Sequence, residues 1–172
     1  MKFSALLLAF TLSSAPAVSY AKESAKNTPQ HVIHTCSTRD SSTYALACNI
    51  YKEARGEGLE GQMAIGFVTI NRSQHEKFPE SVRKVVYQKK QFSWTIYKNG
   101  YKIRDREMWE QSLAVAKFMM KIRNNPAAYS FLDNTNGSLY FHTTDIKPYW
   151  AKSFKKTVVI GNHQFYKPKE TS

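Results

Sequence analysis

Apolar positions recur at helical spacing through the first three quarters of the chain and alternate near its end. Leu46, Ala47, Ile50, Tyr51 and Ala54 share one face of a helix predicted over residues 42–55, with a Ser/Thr cluster to cap its start. Gly56 stops it. In a second helix, over residues 60–72, Met63, Ala64, Phe67, Val68 and Ile70 cover much of the circumference, as in a buried central helix. Pro79-Glu80-Ser81 opens a short third helix carrying Val82, Val85 and Val86. Residues 95–105 are polar, aromatic and glycine-containing and read as an exposed loop. Residues 106–122 form the longest helical pattern, with Trp109, Leu113, Ala116 and Met120 in one stripe and Val115, Met119 and Ile122 in another. This Met-rich face reads as core rather than as a cofactor box, and no cofactor is expected. Asn124-Asn125-Pro126 ends it.

Beyond that point the period changes. Leu139 and Phe141 alternate with Tyr140 and His142, and Val158-Val159-Ile160 leads through Gly161-Asn162 into His163-Gln164-Phe165-Tyr166. Gly-Asn between two such runs signals a hairpin. The expectation is an α+β domain, mostly helical, with a small C-terminal antiparallel β-sheet and no internal repeat.

Met1-Lys2, the apolar run 3–12 and Ser19-Tyr20-Ala21 together read as a secretory signal peptide over residues 1–21, too short for a stable membrane span. Cleavage after Ala15-Pro16-Ala17 is the alternative. No cysteine closely follows the apolar run, which argues against a lipid anchor, and no other stretch is long enough to be a transmembrane anchor. Removal of 21 from 172 residues leaves 151, enough for one core, and the chain is expected to be monomeric. Residues 22–41 are polar and read as a mobile leader, with the catalytic domain over 42–168. An exported or periplasmic chain with two cysteines, Cys36 and Cys48, favours a disulfide, a buried free thiol being the alternative. With 25 Lys and Arg against 13 Asp and Glu, the net charge of +12 favours anionic partners such as envelope polymers. Scattered basic residues such as Lys84, Lys89, Lys90, Lys98 and Lys102, with aromatics between them, also suit nucleic acid, but the signal peptide argues against it.

The chemically informative stretch is Tyr51-Lys52-Glu53-Ala54-Arg55-Gly56-Glu57-Gly58. At about 100° per residue Glu53 lies beside Leu46 and Ile50, at the edge of the apolar face. It also falls in the last helical turn, where carbonyl ends disfavour negative charge. Both effects raise a carboxyl pKa towards that of a general acid, unless Arg55 turns back to pair with it. Glu57 is the nearest second carboxylate, although Glu57 and Glu60 equally suit the positive start of the next helix. Gln91, Ser93 and Trp94 form a polar-aromatic turn suited to sugar hydroxyls and acetamido groups. Tyr140 with His142, Trp150 beside Tyr149, and His163 with Phe165 offer further aromatic and polar faces, or ordinary packing.

These residues fall in an order that resembles a known family. Glu53-Ala54-Arg55-Gly56-Glu57, Gly61-Gln62, Asn71-Arg72, Phe78-Pro79, Gln91-Phe92-Ser93-Trp94, Tyr140-Phe141-His142, Pro148-Tyr149-Trp150-Ala151 and Gly161-Asn162-His163-Gln164-Phe165-Tyr166 are similar to the cell wall hydrolases of the spore cortex-lytic (SleB) type. The resemblance implies a lysozyme-like lytic transglycosylase domain acting on peptidoglycan glycan strands, with Glu53 as catalytic acid. Two departures limit the transfer. Many relatives carry cysteines near the positions of Arg83, Lys84 and Lys90, so their disulfides do not carry over. Spore-type members also place a peptidoglycan-binding domain ahead of the catalytic one, for which this chain has no room, so a germination role does not follow.

A glycosidic bond breaks when its leaving oxygen is protonated and an oxocarbenium-like centre is stabilised. One acid suffices if the muramic C6 hydroxyl attacks C1 to form a 1,6-anhydro ring. Hydrolysis by water, giving a muramidase or glucosaminidase, is the alternative. A zinc amidase is a further alternative, but the five histidines form no His-Glu-x-x-His, and His142 with His163 would lack a third ligand. A non-enzymatic wall-binding module would not depend on Glu53.

Overall fold

The structure is a computed structural model that describes residues 31–97 and 99–169. The expected signal peptide, residues 22–30 of the expected leader and Lys98 lie outside the described residues.

Among the described residues, five α-helices carry the core. The first, α1, spans Ser42–Glu53 and is capped by Ser41, whose hydroxyl accepts from the Tyr44 N–H. Its last residue is Glu53, and Gly56 at φ +86° carries the chain out of the helix. Helix α2, Leu59–Gln74, is buried along most of its length, as its broad apolar surface predicts. Gly66 lets α2 close on Met119 of the long helix α4 (Arg106–Ile122), because a Cβ there would strike the Met119 sulfur. Between them lies the short α3, Val82–Val86, capped by Ser81. Helix α5, Pro126–Leu132, is an addition to the expected elements: Asn125 caps it and Pro126 occupies its first turn. Asn-Pro thus ends one helix and begins the next. Leu46, Ile50, Phe67, Ile70, Met119 and Phe165 are fully buried at the centre.

The sheet has strand order β3-β5-β4, all antiparallel, with β3 at Tyr140–Thr143, β4 at Phe154–Ile160 and β5 at His163–Pro168. Gly161 and Asn162 make the expected tight β4–β5 turn, with Gly161 at φ +54°.

Two expectations need correction. The leader is not separable up to residue 41, and residues 95–105 are not all loop. His34–Cys36 forms β1, which pairs antiparallel with β2 at Tyr101–Ile103. Three-residue strands carry too little alternation to be seen locally; their pairing and the Cys36–Cys48 disulfide hold them. That disulfide ties β1 to α1 and joins residues 12 apart. Asp40 fastens the same corner, accepting from the Ser37 N–H at 3.0 Å and the Tyr87 hydroxyl at 3.1 Å, beside His34 at 3.1 Å.

Polar residues of α2 then position the segment leading into β3. The Asn71 amide donates to Asp133 at 3.0 Å and to the Ser138 carbonyl at 3.2 Å, and Tyr129 donates to Asn71 Oδ1 at 2.7 Å. One residue further on, Arg72 Nε donates to the Leu139 carbonyl at 2.6 Å. The start of the sheet is therefore fixed by a helix some 67 residues earlier in the chain.

Loss of the disulfide removes a cross-link from the unfolded ensemble. The Cys36→Ala/Cys48→Ala variant is expected to lose about 2–4 kcal/mol. Its melting temperature should fall by roughly 5–15 °C, with melts of the variant insensitive to reductant and melts of the parent lowered by it.

Candidate active site

Two adjoining cavities, of about 310 and 450 Å³, form a cleft between the helices and the sheet. Each lies within the range of about 300–1,000 Å³ usual for ligand clefts. The first is lined by Glu53, Arg72, Gln91, Phe92, Phe141, His142, Trp150 and His163, among others. The second is lined by Tyr140, Phe154, Arg72, Gln91, Phe141 and Trp150. Arg72, Gln91, Phe141 and Trp150 are common to both.

Glu53 is the only acidic side chain among the described residues lining either cavity. Burial raises its carboxyl pKa above the ordinary value, and the positive charges of Lys52 and Arg72 partly oppose that rise. The sequence pointed to Arg55 as the opposing cation, but Arg55 is exposed, and Arg72 from the neighbouring helix takes that part. Lys52 sits over the Tyr101 ring at 4.3 Å.

Arg72 is the residue that sequence reasoning underrated. It is buried, and burial lowers its pKa to about 10 despite Glu53 nearby. Its guanidinium lies 5.5–5.8 Å from the rings of Phe78, Phe92 and Tyr140. Nε is satisfied by Leu139, while the buried Nη1 has no partner. The available signal was a charged residue just beyond the mostly apolar run from Met63 to Ile70.

Glu57 is directed elsewhere. Its Oε1 accepts from the Asn162 N–H at 3.1 Å and lies 3.3 Å from His163 Nδ1. That second approach is close but misaligned for a hydrogen bond, since Nδ1 has no such partner. Burial lowers the His163 pKa, against the pull of Glu57, so the ring is neutral near pH 7 and the contact is not a full ion pair. A Cβ at position 161 would collide with the Glu57 carboxylate, so glycine serves both the turn and this approach. Glu57 thereby staples the α1–α2 turn to the tip of the β4–β5 hairpin.

Both ring nitrogens of His142 are engaged, Nδ1 with the Thr143 carbonyl at 2.8 Å and Nε2 with the Tyr166 hydroxyl at 2.9 Å. The carbonyl requires a proton on Nδ1, which leaves Nε2 to accept from Tyr166 in the neutral ring. Trp150 packs edge-on against both His142 and Tyr166 at 5.5 Å.

The cleft therefore brings together Glu53, Gln91, Tyr140, His142, Trp150 and His163, with Glu57 holding His163 from behind. Ser93 and Trp94 are not brought to it. Ser93 is exposed at the start of a 3-10 turn, Ser93–Ile96. Trp94, expected as a sugar platform, is buried: its Nε1 donates to Asn49 Oδ1 at 3.3 Å, and its ring borders a separate cavity of about 90 Å³ beside Cys36. Asn49, itself bonded to Thr69 at 3.0 Å, captures the indole N–H for the core. Phe154 in the second cavity was not anticipated, nor was Asp145, which lies between Thr143 and Ile146 of the first cavity's lining. Asp145 is fully exposed and its pKa is lowered, chiefly by a hydrogen bond with Thr143.

Among the described residues, His34, Cys36, Asp40 and Cys48 are a group of metal-ligand types lying within 4.8 Å of one another. Their two sulfurs are joined in the disulfide.

Comparison with known proteins agrees with this geometry. The chain belongs to the cell wall hydrolase family, which matches residues 56–166 and so begins three residues after Glu53. It is 46% identical over 127 residues to the spore cortex-lytic enzyme of Bacillus subtilis, covering 70% of this chain and 35% of that protein. It is 28% identical over 129 residues to the corresponding enzyme of Oceanobacillus iheyensis, covering 71% and 40%. The chain thus spans well under half the length of these relatives. Its fold matches the catalytic domain of the germination-specific lytic transglycosylase SleB from Bacillus anthracis, with a TM-score of 0.54 and 24% identity over 73% of this chain and 93% of that one. The catalytic domain of Bacillus cereus SleB matches with the same TM-score, at 23% identity over 84% and 99%.

A carboxyl with a raised folded-state pKa is destabilising once it ionises. The penalty is absent below its unfolded value and develops as pH rises through its folded value. Glu53→Gln is therefore expected to melt higher than the parent at pH 8, with the difference shrinking towards pH 4. Thermal melts across that range check it, and a pH-independent difference would contradict burial of an ionisable Glu53.

Proposed function

We propose that the protein cleaves the glycan strands of peptidoglycan as a lytic transglycosylase, with Glu53 as its single acid-base residue. The observation that carries this reading is one carboxyl, raised in pKa by burial, alone in a cleft furnished with aromatic and polar side chains. Glu53 protonates the oxygen leaving muramic C1 as the C1–O4 bond breaks. The carboxylate so formed is favoured by Lys52 and Arg72. It then accepts the C6 hydroxyl proton as O6 bonds to C1, which closes the 1,6-anhydro ring and restores the acid.

Glu57 does not line the cleft, and its Oε1 is occupied by Asn162. This weakens a mechanism that uses Glu57 as the second carboxylate. Hydrolysis has one specific observation in its favour: Asp145, its pKa lowered chiefly by a hydrogen bond with Thr143, stands on the loop after β3, near His142 and His163. A base there would deliver water instead of the C6 hydroxyl. An amidase using His142 Nε2 as a zinc ligand has to break the bond of that nitrogen to the Tyr166 hydroxyl.

The substrate and the signal-like start point to a site of action outside the cytoplasm, in the periplasm or beyond. No described helix is long and apolar enough to cross a membrane. The net charge of +12 suits a monomer drawn to anionic envelope polymers.

Glu53→Gln is expected to lower the rate of sacculus digestion by about 10²–10⁴-fold, with Glu57→Gln milder. Activity above a few per cent in a folded Glu53→Gln protein would remove Glu53 as the proton donor. Digestion in ¹⁸O-labelled water should yield muropeptides ending in unlabelled 1,6-anhydromuramic acid by mass spectrometry. Label at muramic C1, lost in Asp145→Asn, would instead establish a hydrolase. Treatment with EDTA should leave the rate unchanged, whereas zinc-restorable loss would revive the amidase.

A further inference from the structure

Arg72 carries more polar capacity than the fold uses. A guanidinium offers five N–H donors, and the Leu139 carbonyl takes the one on Nε. Nη1 is buried without a partner, an arrangement that native proteins generally avoid. Among the described residues no carboxylate forms an ion pair with Arg72. The group nevertheless sits where the two cavities join, beside Gln91 and bordered by Tyr140, Trp150 and Phe154. Tyr140 and Phe154 lie 4.4 Å apart, and Trp150 is 6.0 Å from Tyr140 and 5.8 Å from Phe154. Such an aromatic cluster suits the C–H face of a pyranose, and it lines the same cavity as Arg72.

We propose that Arg72 is the specificity-determining residue of the cleft, donating from its guanidinium to the acetamido carbonyl of an N-acetylated sugar seated on Tyr140, Trp150 and Phe154, and repelling the ammonium of a de-N-acetylated one. The inference rests on the glycan-cleaving reading and deepens it. An acetamido oxygen accepts from a cation through a strong, charge-assisted bond. The ammonium that replaces it offers only donors and a like charge, in a cleft where burial leaves little solvent screening. Rejection of de-N-acetylated glycan is therefore built into the same side chain that anchors β3.

The test uses one batch of purified sacculi, part of it chemically de-N-acetylated and part of that re-acetylated. The parent protein should digest de-N-acetylated glycan at least tenfold more slowly than native glycan, and re-acetylation should restore the rate. In Arg72→Met the repulsion is gone and the ratio should shrink at least fivefold, whatever the absolute rate. Arg72→Lys keeps the charge but not the planar fork. It should still reject the ammonium form while losing about tenfold in kcat/KM on acetylated glycan.

A folded Arg72→Met protein with the parental ratio, or a parent indifferent to acetylation, overturns the proposal. If the Met variant fails to fold, full kcat/KM in the Lys variant overturns it alone. Pelleting of Glu53→Gln protein with the three glycans separates this inference from the glycosidase reading. Acetyl-selective binding without cleavage by the parent sustains the inference and sinks the enzyme assignment. Equal binding to all three glycans, with cleavage intact, does the reverse.

Discussion

A buried guanidinium couples the two halves of this protein. Arg72 stands on α2, within the helical layer, and its 2.6 Å bond to the Leu139 carbonyl fixes the point where the chain enters the sheet. Phe78, Phe92 and Tyr140 surround the charge with polarisable faces in place of water. Removing only one partner of such a buried arrangement leaves an uncompensated group, which makes the position costly to vary. The same charge reaches Glu53 across the cleft. One side chain thus fixes the entry to the sheet and, with Lys52, offsets part of the rise that burial imposes on the Glu53 carboxyl.

Glu57 makes its hydrogen bond to Asn162 away from the cleft that Glu53 lines. It follows Glu53 by four residues, near the positive start of α2, and sequence alone left a mechanistic role open for it. In the fold it reaches 105 residues forward to the Asn162 N–H, and Gly161 makes room for its carboxylate. His163 is held against the cleft by this contact and by the Phe141 ring at 5.5 Å. The carboxylate therefore shapes the wall opposite the acid.

Elements with many local periods were legible. Helices α1, α2 and α4 and the β4–β5 hairpin follow from apolar spacing, caps and Gly-Asn, because their determinants lie within a few residues of one another. The β1–β2 pair was not, since three-residue strands depend on a partner 67 residues away and on a cross-link to α1. Of the residues that line the cleft, Glu53, Gln91, Tyr140, His142, Trp150 and His163 are singled out by residue type and neighbourhood. Trp94 misled because its setting in Gln-Phe-Ser-Trp looks like a sugar platform, while Asn49, 45 residues earlier, decides its environment. Arg72 escaped because periodicity marks where a charge sits but not what it faces.

The separation along the chain between Glu53 and the strands that cover it has a consequence for the order in which the protein becomes competent. Glu53 is made early during synthesis, yet Phe141, His142, Trp150 and His163, which close the cleft around it, come some 90–110 residues later. Until they dock, the carboxyl is hydrated and ionises like any surface glutamate. Its strength as an acid is acquired only when the last strand joins the sheet. A nascent or C-terminally clipped chain thus carries Glu53 without the enclosure that raises its pKa.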